Sequence, residues 1–359
     1  MHPARSRTRW IAPPLVALLL ASAFVVLGAT PAGAHGVTGA QPSNYASSVT
    51  SVSPRIAGLT VQTRDLGARL EVRNETAHTV MILGYSGEPY LRVGPTGVDE
   101  NQRSPAVFLN RSRTVTEAVP HSYDAAAPPR WHHVSGAHVV RWHDHRVHWM
   151  GASLPPAVAA APGRARLIFD WNVPLQYEGR PVIVRGDLRW VPGPSALPRL
   201  ALALVLAALV VALGLTRWWA PAMAVVLVVL ALMVGALVVG EWQSTSTGGW
   251  NAFLATVYSI LGSAAAIAAA AALLRARRNP DGAIPIVLVA AVVLALGSGL
   301  ADITALDHSQ LPTTLAPMLD RTFVAIVLGA SVGVLVTAAR RLGRGPRATD
   351  AAEVPLASS

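Results

Sequence analysis

Five apolar segments in the second half of the chain restrict its fold more than any other feature. Each is long enough, or nearly so, to cross a bilayer as a helix, because a membrane span needs about 20 apolar residues. The segments are Leu200–Leu215, Ala222–Gly240, Ala252–Leu274, Ala283–Ala301 and Thr322–Ala339. The whole chain is 52% apolar and only 13% charged, which is too apolar for an ordinary soluble domain. We therefore predict a transmembrane five-helix bundle over residues 197–342, in contact with membrane lipid.

The distribution of charge between these segments predicts their orientation. Loops on the cytoplasmic side of membrane proteins carry an excess of basic residues. One set of connections, together with the segment after the fifth helix, carries Arg217, Arg275, Arg277, Arg278, Arg340, Arg341, Arg344 and Arg347. The opposite loops carry Glu241, Asp302, Asp307 and His308. The pattern predicts a protein of the cytoplasmic membrane with an extracytoplasmic N-terminal domain, a cytoplasmic C-terminus and a disordered cytoplasmic tail over residues 343–359.

Residues 1–34 have the three parts of a secretory signal peptide. Basic residues come first, the apolar stretch Ile11–Leu27 follows, and Ala32-Gly33-Ala34 forms an A-x-A cleavage site. An uncleaved membrane anchor is the alternative interpretation. Cleavage after Ala34 would make His35 the first residue of the mature protein.

Residues 35–196 predict an extracytoplasmic all-β sandwich, because short apolar stretches alternate with turn residues. The predicted strands are Gly58–Thr63, Ala68–Asn74, Thr79–Tyr85, Tyr90–Val93, Ala106–Asn110, Ala137–His145, Ala165–Trp171 and Pro181–Val191. Residues 36–54 are rich in serine, threonine and proline, and we expect them to run extended over the domain surface. Leu83–Tyr90 contains Gly84-Tyr85-Ser86-Gly87 but lacks the strand–turn–helix context of a serine nucleophile, so it predicts a turn between two strands.

Histidines concentrate in Trp131–Met150, which holds six of the chain's eleven. Residues two apart in a strand project from the same face, so His143 and His145 can address one metal ion. Asp144 would face the other way, while His148 and Met150 lie close enough in sequence to supply an additional ligand. Trp142 and Trp149 would wall the site.

The chain contains no cysteine, so thiolate metal centres, including blue-copper sites, and disulfides are excluded. A mature N-terminal His35 would offer its α-amine and Nδ1 to one ion, and the imidazoles of His143 and His145 would complete an all-nitrogen set. Copper(II) suits such nitrogen-rich ligation better than other common divalent metals. His148 or Met150 could be an axial or alternative ligand.

An N-terminal histidine, a Trp142-His143-Asp144-His145 segment and following membrane helices together resemble the copper-binding cupredoxin region of the methane/ammonia monooxygenase B subunit. The same parts, with Val139-Val140 before an acidic-histidine turn and Gly151 after it, resemble the CopC family of periplasmic copper carriers, some of which are fused to a CopD-type membrane module. The resemblance implies a cupredoxin-like or immunoglobulin-like sandwich that binds copper(II). Asp144-His145-Arg146 departs from the Asp-x-His motif of CopC, and five helices are fewer than a CopD module is expected to have.

The predicted function is membrane-anchored copper(II) binding outside the cytoplasm, for copper acquisition, delivery or tolerance. Alternatives are a non-enzymatic interaction module for a cell-envelope protein, a copper oxygenase-like subunit, or a copper transporter with entry ligands at Asp302, Asp307, His308 and Met318. The histidines could also form a surface or core cluster without a ligand, or have a proton-linked role. The formal charge of +10 comes wholly from arginine and shows no basic face with interleaved aromatic residues, so no nucleic-acid partner is expected.

Overall fold

The computed structural model describes residues 41–111, 117–244, 250–276 and 278–343. The predicted signal peptide, His35 and the predicted tail beyond Gly343 lie outside these residues. The described part consists of a mostly antiparallel β domain followed by five helices that are long and apolar enough to cross a membrane.

The strands of the β domain form two antiparallel sheets. The described strands are β1 Tyr45–Ser53, β2 Leu59–Arg64, β3 Arg69–Asn74, β4 Val80–Leu83, β5 Pro89–Gly94, β6 Gly97–Asn101, β7 Trp131–Ser135, β8 Val139–His143, β9 Arg166–Tyr177 and β10 Arg180–Trp190. The larger sheet has the order β1-β10-β9-β4-β5-β6-β7, and the smaller has the order β2-β3-β8. Apolar side chains from both sheets, including Leu70 and Leu188, belong to one buried cluster. The small sheet, which contains β8, therefore shares its core with the large sheet.

The β9–β10 hairpin shows how local sequence sets the register. Glu178 and Gly179 both have positive φ angles, as a two-residue hairpin turn of the right twist requires. Tyr177 consequently pairs with Arg180. Alternate residues of β10, such as Val182 and Leu188, are buried.

The β domain departs from the predicted strand pattern at several points. The predicted strand Ala106–Asn110 is instead a short helix, α1, Pro105–Leu109, because Ser104 caps its first turn by accepting a hydrogen bond from the Ala106 amide at 3.2 Å and Pro105 favours the first helical position. Part of the expected surface segment 36–54 is the edge strand β1, which pairs with β10. A second short helix, α2, spans Pro156–Ala160.

The five long helices follow the predicted segments closely. They are α3 Leu197–Leu215, α4 Trp219–Ser244, α5 Trp250–Arg275, α6 Ile284–Leu294 and α7 Pro317–Leu342. Helix α6 continues as a π-helical stretch over Ala295–Leu300, a local widening that often interrupts α-helices. In α7, Gly329 packs against the backbone of Ala203 in α3, and Gly333 packs against Val210 of the same helix, so these small residues allow close helix packing.

The two ends of the helix bundle differ in what they contact. At one end, the Arg341 guanidinium donates to the Gly214 carbonyl at 3.0 Å and lies 3.8 Å from the centre of the Trp219 ring. At the other end, Ser43 and Gln310 exchange two backbone hydrogen bonds of 2.9 and 2.8 Å. The basic helix ends therefore lie opposite the β domain.

Arg321 holds the loop that meets the β domain. Its side chain is only 7% exposed and donates to the carbonyls of Ala305 at 3.1 Å and His308 at 2.6 Å. The same loop presents the Ser309 amide to the Asn44 side chain at 2.8 Å. Arg321 therefore fixes the loop to which the start of the β domain is bonded.

Candidate metal centre

The histidine site is built on a turn directly after β8. The strand ends at His143, which pairs with Arg69 of β3. The chain then reverses, and the Val147 amide donates to the Asp144 carbonyl at 3.3 Å. His145 is therefore in the turn, so the prediction of an extended His143-Asp144-His145 strand is wrong. Local hydrogen bonds of Asp144 with Trp142 and Arg146 override the alternation seen in the sequence.

Asp144 is the centre of this turn. Its side chain is completely buried and accepts hydrogen bonds from the Arg146 Nε at 2.8 Å, the Arg146 Nη2 at 2.7 Å and the Trp142 Nε1 at 2.8 Å. The Arg146 amide adds a fourth bond at 3.0 Å. A buried carboxylate with this many donors is fully satisfied and fixes the path of the chain around it.

The charge of Asp144 is maintained by these donors. Burial alone raises the pKa of its carboxyl, but the hydrogen bonds and positive charge of Arg146, with the Trp142 N–H, outweigh burial and hold that pKa below its usual value. The carboxylate is therefore committed to Arg146 and Trp142, which agrees with the prediction that Asp144 does not share a metal with the histidines.

A second set of contacts joins the turn to the β4–β5 connection. The His145 amide donates to the Tyr85 hydroxyl at 2.9 Å, and the Arg146 guanidinium lies 4.8 Å from the centre of the Tyr85 ring. The Tyr85 hydroxyl in turn donates to Asn110 Oδ1 at the end of α1. Burial raises the pKa of the Tyr85 phenol, so it remains a neutral hydrogen-bonding group.

The imidazoles of His143, His145 and His148 lie close together at this turn. The ring centres of His143 and His148 are 4.5 Å apart, and that of His145 lies 5.5 Å from His143 and 5.7 Å from His148. Between His143 and His148 the two Nε2 atoms approach to 2.8 Å. His148 is only 5% exposed, whereas the other two rings are half-buried and reach the surface. The site is therefore a partly open group of three imidazoles.

The hydrogen bonds of His148 indicate which nitrogens carry protons. Its Nδ1 lies 3.4 Å from the Trp149 carbonyl, which can only accept, so a hydrogen bond here requires a proton on Nδ1. In that tautomer the neutral ring presents a lone pair at Nε2, and a proton on His143 Nε2 completes the 2.8 Å contact. A carbonyl-anchored Nδ1 and a lone pair on Nε2 are the usual state of a metal-ligating histidine.

The predicted site residues divide into three groups. The structure brings His143, His145 and His148 together, and His148 is the nearest partner of His143. Met150 is exposed, and the described contacts do not join it to the three rings. His35 lies outside the described residues, so its role as a ligand stays a prediction.

The remaining predicted features can also be placed. Trp142 is buried in the domain core, and the Trp149 indole donates to the Ser153 carbonyl at 2.7 Å. The connection between β4 and β5, within Leu83–Tyr90, is a turn, as predicted. Sequence reasoning missed Tyr85 within that turn, because nothing in the local pattern relates it to a residue 60 positions later.

Of the three imidazole rings, only those of His143 and His148 have nitrogens as close together as two ligands of one metal ion. Within the part of the chain that the structure describes, no group of three or more histidine, cysteine, aspartate or glutamate side chains is already arranged to hold a metal ion. A small movement of His145, or a ligand from elsewhere, is needed to complete a three-ligand centre.

Comparison with family models, with curated proteins and with solved structures finds no match to this chain. The chemistry of the site must therefore be argued from its own residues.

Proposed function

We propose that the protein is a membrane-anchored copper(II)-binding protein whose β domain lies outside the cytoplasm. The observation that carries the proposal is the 2.8 Å approach of His143 Nε2 to His148 Nε2, with the His145 ring beside them. Copper would be held by imidazoles and exchanged with other ligands, without bond-making chemistry. Copper acquisition, delivery and tolerance all fit such a role.

The nitrogen separation is compatible with a copper site. Two ligands about 2.0 Å from a metal are about 2.8 Å apart at the right angle of a tetragonal site, but about 3.3 Å apart at the tetrahedral angle that zinc adopts. The observed 2.8 Å matches the tetragonal value. Metal binding at both Nε2 atoms would move the proton of that contact to the other ring nitrogen of His143.

His35 remains the predicted source of further nitrogen ligands. Ser43, bonded to Gln310, is eight residues later, and eight residues span at most about 28 Å. From Ser43 the chain enters β1, where the Ser47 carbonyl accepts from the Thr63 hydroxyl of β2 at 3.0 Å. β2 neighbours β3 and β3 neighbours β8, with about 4.8 Å for each step between paired strands. The eight residues between His35 and Ser43 set the largest distance from Ser43 at which His35 could act as a ligand.

The proposal includes the finer fold class and the orientation. Two antiparallel sheets that share one core support a cupredoxin-like or immunoglobulin-like sandwich. Basic residues at the helix ends opposite the β domain support a cytoplasmic location for those ends.

An equilibrium titration of the full chain in detergent tests the proposal. We expect one copper(II) ion per chain, bound at least about tenfold more tightly than zinc, because copper is preferred by nitrogen ligands in a tetragonal arrangement. The His132→Ala/His138→Ala variant, which removes two exposed histidines outside the cluster, should bind copper like the wild type. Equal affinity for zinc and copper, or loss of binding in that control, would contradict the proposed site.

A further inference from the structure

The His145 ring is the one member of the cluster that stands apart. His143 and His148 touch through their Nε2 atoms, whereas the His145 ring centre is more than 5 Å from both others. His145 also lies in the turn, so its ring position depends on what holds the turn backbone. Whether the centre has two or three imidazoles is therefore decided at His145.

The Tyr85 hydroxyl holds that backbone directly. It accepts the hydrogen bond of the His145 amide at 2.9 Å and donates its own proton to Asn110 Oδ1. Because a phenol has one proton, donation to Asn110 leaves an oxygen lone pair directed to the His145 amide. The tyrosine thus connects the turn to α1.

The rest of Tyr85 is fixed from several sides. Arg146, itself paired with buried Asp144, lies over one face of the ring at 4.8 Å. The His145 ring centre is 6.1 Å from that of Tyr85. The backbone amide of Asn110 donates to the Ala106 carbonyl at 2.9 Å, which fixes Asn110 at the end of α1. The hydroxyl therefore has a defined position set by three separate segments of the chain.

We propose that Tyr85 is a positioning residue for the metal centre: its hydroxyl holds the His145 backbone so that the His145 imidazole stays available as the third ligand beside His143 and His148. This inference rests on the proposed copper site. It assigns no role to the tyrosine in electron or proton transfer. Residues that hydrogen-bond to metal-ligating residues commonly change metal affinity by about 10–100-fold through orientation alone.

Tyr85→Phe in the full chain is the test, since it removes the hydroxyl and keeps the ring. In the metal-free protein we expect hydrogen exchange of the His145 amide to accelerate about fivefold or more, as for loss of one hydrogen bond of ordinary net strength. On titration with copper(II) we expect affinity to fall at least about tenfold and the electron paramagnetic resonance spectrum to change. Tyr177→Phe, which removes a hydroxyl from β9 remote from the turn, should change neither measurement.

The outcomes separate this inference from the proposed function. If the His145 amide of the Tyr85→Phe variant exchanges hydrogen at the wild-type rate, the inference is overturned, whether or not copper binds. Faster exchange with wild-type copper affinity and spectrum also overturns it, while the copper site itself stands. A wild-type chain that binds no copper overturns the proposed function and removes the ligand role of His145.

Discussion

Replacing His143 and His148 together by alanine is expected to lower copper(II) affinity by more than about a hundredfold. Even residues that only orient metal ligands are worth about 10–100-fold each, and these two present the nitrogens that meet at 2.8 Å. Competition titration of the full chain against a chelator of known affinity measures the change. The single His145→Ala variant should fall between the double variant and the wild type, because its ring stands further from the pair.

The His132→Ala/His138→Ala variant serves as the control for removing two histidines. Both residues are exposed and lie outside the cluster. If this control and the His143→Ala/His148→Ala variant lose affinity equally, copper binds non-specifically to surface imidazoles and the assigned centre is wrong.

Replacing Asp144 by alanine is expected to destabilise the β domain by about 3–5 kcal/mol at neutral pH. The substitution leaves the partly buried Arg146 guanidinium without its carboxylate and also removes the acceptor of the Trp142 indole, and breaking a buried ion pair from one side has this magnitude. For a domain of this size that corresponds to a fall of roughly 10 °C in the unfolding midpoint. Intrinsic tryptophan fluorescence during heating reports it. Asp170→Ala, at an exposed position of β9, should change the midpoint little.

The sign of the pH dependence follows from the lowered pKa of Asp144. A carboxyl whose pKa is lower in the folded than in the unfolded state stabilises the fold above the unfolded value, about 3.9 for aspartate. That contribution is lost as the pH falls through the folded pKa. The difference between the wild type and Asp144→Ala should therefore be full at pH 6 and shrink towards pH 2. A difference that grows in acid would contradict the assignment of Asp144 as the buried partner of Arg146.

The membrane helices could be predicted closely because their signal is the length of apolar sequence. The predicted segment Leu200–Leu215 became Leu197–Leu215, and the others shifted by a few residues. The long strand β10 was also predicted closely, as Pro181–Val191, because its apolar residues alternate clearly. The polar edge strand β1 was missed because its pairing with β10, and not its own pattern, defines it as a strand.

The site was predicted only in part. The concentration of histidines in Trp131–Met150 indicated the right part of the chain. The alternation of a strand predicted His143 and His145 on one face. In the structure the buried Asp144 lies in a turn, which brings His148 to His143. The support from Tyr85 and Asn110 could not be predicted, because both lie far away in sequence and reach the turn only through the fold. Long-range contacts of this kind leave no local pattern.

The central claim is that one copper(II) ion is held by the imidazoles of the turn after β8. Electron paramagnetic resonance of the full chain loaded with one equivalent of copper(II), with electron–nuclear double resonance on histidine labelled with ¹⁵N, tests it most directly. We expect an axial spectrum with coupling to imidazole nitrogens, and we expect that coupling to be lost in the His143→Ala/His148→Ala variant. A spectrum without imidazole coupling, or one that the double variant leaves unchanged, would contradict it.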